Sequence, residues 1–139
     1  MSLYAKFETD RSLEKQGITL DYGPNSQGKQ IEIKIARAGG ANTTYLKRME
    51  ARAKPHRLQI QHETIDRIVL ENIVKEVYAE TVVLGWSGVE DREGADMPFT
   101  KENCIKLFND LPELYADIQA QAQSAALFRT AVRETDAKN

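Results

Sequence analysis

Cysteine is nearly absent: Cys104 stands alone in 139 residues. An internal disulfide is therefore excluded, and a reducing cytoplasm is the natural setting. There are only two histidines, His56 and His62. Their spacing of six is neither the three nor the four of paired helical metal ligands, so no metal signature forms around them. Charge of one sign is missing as well. Nineteen Lys and Arg stand against 21 Asp and Glu, a formal net charge of -2, whereas a general nucleic-acid binder shows a clear basic excess. No apolar run approaches the ~20 residues of a membrane span. The opening "MSLYAKFETD" lacks the basic start and apolar centre of a signal peptide, so neither membrane nor export is expected. The turn-rich "GGAN" and "GPNSQGKQ" carry neither Walker spacing nor a strand-to-helix glycine fingerprint; Gly39-Gly40 reads instead as backbone freedom between a strand and a helix.

What is present is an ordinary globular balance, 41% hydrophobic and 29% charged, in a chain long enough for one domain with a real core. Ile18, Leu20 and Tyr22, then Ile31, Ile33 and Ile35, alternate with polar neighbours around "GPNSQG", which predicts a β-hairpin. The preceding "SLYAKFETDRSLEKQ" reads as a short helix or irregular arm. After Gly40 the period becomes helical. "ANTTYLKRMEARAKP" offers Asn42 or Thr43 as N-cap and Pro55 as terminator. In "HETIDRIVLENIVKEVYAETVVLGW", Ile65, Val69, Ile73 and Val77 recur every four residues, and Val69, Ile73 and Val77 are expected to be buried as one apolar stripe. Thr64 or His62 would cap that helix, and Gly85 would end it. Thr100 caps a further helix, and Pro112 opens a last one with the narrow stripe Leu114, Ile118, Ala122, Ala125 and Ala126. The expected fold is mainly α (α+β): an N-terminal β-hairpin followed by four or so helices in one compact domain. Residues 1–40 would be arm and hairpin, 41–135 the helical part, with a fraying polar end, "RETDAKN". Helix should exceed strand by more than two to one.

No catalytic, cofactor or metal set assembles from these residues. Cys104, one turn into a helix beside Ile105 and Phe108, reads as packed and inert. Glu90, Asp91, Glu93 and Asp96 make a loop acidic enough to interest a cation. They lack the oxygen spacing and closing glutamate of an EF-hand, and a solvated loop is the plainer reading. The basic run Lys47, Arg48, Arg52, Lys54 and Arg57 is either a solvated helix face or a face that meets an acidic partner. Trp86, the only tryptophan, is either a cap folded over the core, pinning the loop together with Phe99, or a binding anchor.

The order of motifs resembles the tail assembly chaperones of long-tailed, siphovirus-type bacteriophages. In that group a "W-x-G-V-x-D-x-x-G" segment follows a helix, and "P-[FY]-[ST]-x-E-N" opens another that ends before "P-x-L". The matching residues are Trp86, Gly88, Val89, Asp91 and Gly94, then Pro98, Phe99, Thr100, Glu102 and Asn103, then Pro112 and Leu114. The resemblance is best over residues 77–128. It implies a non-enzymatic protein of the host cell cytoplasm that binds the tape measure protein and helps recruit the tail tube protein. Such a protein is absent from the mature virion and is often made also in a frameshift-extended form. It leaves room for a homo-oligomer and calls for neither nucleic acid nor membrane. Client contact would fall to apolar side chains left over from the core: Trp86, Phe99, Leu127 and Phe128, with the loop after Trp86 shifting as the client docks. The rival expectations are a structural virion component, such as a head–tail joining or minor tail protein, and a small nucleic-acid-binding regulator using "KRMEARAKPHR".

Overall fold

The computed structural model describes residues 2–129; the "RETDAKN" ending and the helical part assigned beyond Arg129 lie outside the described residues. The N-terminal arm resolves into two short helices. Helix α1 (Leu3–Phe7) is capped by Ser2, and α2 (Arg11–Gln16) by Asp10, whose carboxylate accepts from the Leu13 N–H at 3.0 Å. Strands β1 (Ile18–Pro24) and β2 (Gln30–Ile35) form the expected antiparallel hairpin, Ile18 opposite Ile35 and Leu20 opposite Ile33. Period two turns Leu20, Ile33 and Ile35 to the buried face. The turn is held by Asn25, whose side-chain oxygen accepts from the Gln27 and Lys29 N–H groups at 2.9 and 3.0 Å.

Beyond Gly40, Asn42 caps α3 (Thr43–Ala53). Helix α3 ends at Ala53, just ahead of Pro55, as expected; Pro55 sits at the start of a 3-10 turn, Lys54–His56, where its missing N–H costs nothing, and the chain goes on as a separate α4 (Arg57–Gln61). Helix α5 (Arg67–Thr81) is capped by Asp66, which accepts from the Ile68 N–H at 2.8 Å, and not by Thr64 or His62. The carboxylate at the residue directly before the first helical turn wins over candidates further out.

The largest departure from the sequence reading lies at the end of α5. The helix stops at Thr81, short of Gly85, and Val83–Ser87 become a third strand, β3. The sheet order is β1-β2-β3, with Ile33 opposite Trp86 and Ile35 opposite Val83 in an antiparallel ladder that shifts register between Lys34 and Ile35. A short apolar run such as "VVLGW" fits helix or strand equally by pattern. What decides it is β2. Ile33 and Ile35 are buried, so backbone groups on their second edge need partners that water cannot supply.

Helix α6 (Lys101–Asp110) starts at the expected cap, Thr100, which accepts from the Asn103 N–H at 3.0 Å. Helix α7 (Pro112–Gln123) opens on Pro112 as expected but ends before Ser124, and Ala125–Phe128 form a 3-10 turn. The small-residue stripe is therefore split. Ile118 and Ala122 are buried in the core, and the Ala122 carbonyl accepts from the Ala38 N–H at 2.9 Å, while Ala125 and Ala126 leave the helix. The expected class holds: α+β, 55% helical, with the hairpin extended to a three-stranded sheet and α3, α5, α6 and α7 as the long helices.

The core joins the inner face of the sheet to Tyr78 of α5 and Val82 just after it, Cys104 and Phe108 of α6, and Ile118 of α7. Only part of the α5 stripe enters it. Val77 is fully buried, Ile73 is half-buried, and Val69 is 38% exposed. The expectation of one buried stripe fails because α5 is longer than the body it packs on. From residue 43 to residue 76, through α3, α4 and most of α5, no residue is buried. This stretch forms a helical arm.

Candidate functional site

Trp86 lies on β3 opposite Ile33, half-buried at the margin of the core, a placement compatible with a core cap. Its indole N–H donates to the Met97 carbonyl at 2.7 Å, and its ring meets Phe99 edge-on, centroids 5.0 Å apart at 80°. The two aromatics thus close the base of the loop between them. The loop is also clamped to the β1–β2 turn. Glu90 accepts from the Ser26 N–H at 2.8 Å and from the Ser26 hydroxyl at 2.6 Å, and Asn25 donates to the Gly88 carbonyl at 3.0 Å. Asp91 accepts from the Glu93 and Ala95 N–H groups, both at 2.9 Å. Gly88 has φ 76, and a Cβ there would overlap the Gln30 carbonyl. Of the loop carboxylates, Glu90 and Asp91 are thus committed to hydrogen bonds that fix its shape. Among the described residues, no group of three or more His, Cys, Asp or Glu is arranged to hold a metal ion.

The other two proposed contact residues sit elsewhere. Leu127 is half-buried in a groove beside Ile18 and Leu20 of β1. Phe128 has no exposed surface, and its carbonyl accepts from the Asp10 N–H at 2.7 Å. The structure therefore joins Trp86 to Phe99 but not to Leu127 and Phe128, and it withdraws Phe128 from any contact surface. The cause is the turn after α7, which folds Phe128 inward against α2.

The basic run meets an acidic face within the chain itself. Arg52 binds Glu76 at 3.0 Å and Glu80 at 2.6 Å, Arg48 pairs with Glu80, and Lys101 of α6 reaches Glu80 at 2.9 Å. Arg48 opposite Glu80, and Arg52 opposite both Glu80 and Glu76, set α3 antiparallel to α5. The Glu80 side chain is only 10% exposed. Burial pushes its carboxyl up, but Lys101, Arg52 and Arg48 together outweigh that and hold it below its ordinary value. Lys47, Lys54 and Arg57 remain exposed.

A second polar knot holds the hairpin to the helices. Glu14 of α2 is buried, paired with Arg37 and accepting from the Thr9 hydroxyl at 3.3 Å. Gly40 passes so close that a Cβ would overlap the Glu14 carboxylate, which adds a packing reason to its φ of 54. Asn42, also buried, donates to the Arg37 carbonyl at 2.9 Å and the Thr81 carbonyl at 3.1 Å. Cys104 is fully buried, and burial pushes its thiol up to about 12. His56 Nδ1 lies 3.2 Å from the Gln59 side-chain oxygen, and His62 is exposed.

The surface that sequence reasoning missed is the arm. Leu46, Leu58, Ile60, Ile68, Val69 and Leu70 are all exposed there, Leu58 and Ile68 by 68% and 66%. The signal was in plain view: "HRLQIQHET" carries Leu58 and Ile60 with no assigned element, and the α5 stripe begins well before any partner helix can reach it. No helix among the described residues is long and apolar enough to cross a membrane.

An α+β chain with polar knots, clamped loops and an uncovered helical arm is here matched by a phage-derived class of proteins. Residues 40–139 match the family described as YdaY prophage protein, and the chain belongs to that family. The match begins at Gly40, where the hairpin gives way to the helices. Neither a curated protein nor a solved structure matches the chain.

Proposed function

We propose that the protein is a tail assembly chaperone. It binds the tape measure protein in the host cell cytoplasm, keeps it soluble, helps recruit tail tube subunits and is absent from the finished virion. It acts by binding, without catalysis or cofactor. Membership of a prophage family and the ordered tail-chaperone motifs support this reading. The observation that carries it is the arm, residues 43–76, with no buried residue and six exposed large apolar side chains. An amphipathic helical client docks on such a face by setting its own apolar stripe against it. Contact thereby moves from Trp86 and Phe99, whose rings are engaged with each other, to Leu58, Ile68 and their neighbours.

Coexpression with the tape measure protein of the same prophage tests it. The client should be soluble and co-purify with the parent protein, and Leu58→Glu/Ile68→Glu should lose it while staying folded. A client that is neither retained nor solubilised by the parent overturns the assignment. Detection of the protein in purified particles would favour a virion component instead. Binding of DNA or RNA that falls steeply with salt would favour a regulator acting through Lys47, Lys54 and Arg57.

A further inference from the structure

The uncovered arm calls for an occupant before any client arrives. Isolated helices of this length are marginal in water, and most helical stability in proteins comes from packing an apolar face. In the arm that packing is only half supplied. Arg48 and Arg52 tie the inner end of α3 to Glu76 and Glu80, and Tyr45 meets Tyr78 edge-on at 5.9 Å. Further out, Leu58, Ile60, Ile68, Val69 and Leu70 face solvent. The outer ion pair is Arg67–Glu71, with the Arg67 side chain 90% exposed, and a pair so open to water contributes little.

We propose that a second copy of this chain covers the arm. The two arms meet through their outer ends, α4 and the first turns of α5, about a two-fold axis, each covering the other's exposed apolar side chains. Charge selects a copy over a partner of one sign. The outer arm carries Lys54, Arg57 and Arg67 against Glu63, Asp66 and Glu71. An isologous contact sets a surface against itself, so equal numbers of both signs are what it needs. The whole-chain charge of -2 leaves little repulsion between copies. Leu58, Ile60, Ile68, Val69 and Leu70 give that contact its apolar centre. The inference rests, as the client reading does, on the arm being the protein-binding element, but its test needs no client.

Sedimentation velocity across about 1–100 µM reads it, a range that brackets a dimer of ordinary strength. The parent chain should run as a dimer. Ile68→Glu and Leu58→Glu should each weaken the dimer by about 30-fold or more. Leu3→Glu, at an equally exposed site on α1, should leave it unchanged. Thermal unfolding followed by Trp86 emission checks that each variant keeps the folded body. A parent chain that stays monomeric overturns the inference, as does a dimer indifferent to both arm substitutions or broken by Leu3→Glu. A dimer that forms as described while the coexpressed client is not retained sinks the client reading alone. A monomer that still retains its client through the arm sinks only the dimer.

Discussion

Replacing Trp86 by alanine separates a residue that holds the fold from one that holds a partner. Full truncation of a buried aromatic costs about 3–5 kcal/mol. Trp86 is half-buried, so about 2 kcal/mol of packing is at stake, including its edge-on contact with Phe99. The indole hydrogen bond to the Met97 carbonyl adds about 1 kcal/mol. The expected loss is thus about 3 kcal/mol, or roughly 10 °C in Tm for a chain of this size. Trp86→Phe keeps most of the ring and loses only the hydrogen bond, so it should cost about 1 kcal/mol. Urea unfolding followed by circular dichroism measures both, since fluorescence vanishes with the only tryptophan. Trp86→Ala should unfold earlier and retain client in proportion to its folded fraction. If its midpoint matches the parent's and client retention disappears, the core-cap assignment is wrong and Trp86 is an anchor.

Three further outcomes follow from the interior. Asn42→Ala leaves the Arg37 and Thr81 carbonyls and the first turn of α3 without their partner, and should cost about 2–3 kcal/mol in urea unfolding. Because the Glu80 carboxyl is held below its ordinary value of 4.5, the stability it contributes is fully present above that value. It is lost as pH falls through the lowered folded-state value, so the gap in unfolding free energy between the parent and Glu80→Gln should be flat near neutrality and close in acid. The Cys104 thiol, buried and raised to about 12, should resist a thiol reagent at neutral pH in the native protein and react at once in urea; fast native labelling would contradict its burial.

Much of this protein is written in local pattern. The hairpin register follows from the alternation of Ile18, Leu20, Ile33 and Ile35, because period two can place only one face inward. Thr100 and Pro112 mark helix starts because capping and the missing proline N–H are effects of one or two residues. The likeness of "VVLGWSGVED" and "PFTKEN" to phage proteins pointed to phage origin for the same reason, and the family match agrees. Where sequence and structure part, the deciding partner lies far along the chain. "VVLGW" continues a helical stripe until β2 is seen to need a second neighbour, and only the tertiary fold places Ile33 opposite Trp86. Arg48 and Arg52 read as a free basic face until α5 brings Glu76 and Glu80 across to them. Val69 and Val77 occupy equivalent places in one periodic stripe, yet one is in water and the other in the core. Periodicity fixes which side of a helix is apolar, whereas burial depends on how far the neighbouring elements extend along it. That extent is set by packing in three dimensions, and here full burial begins only at Val77.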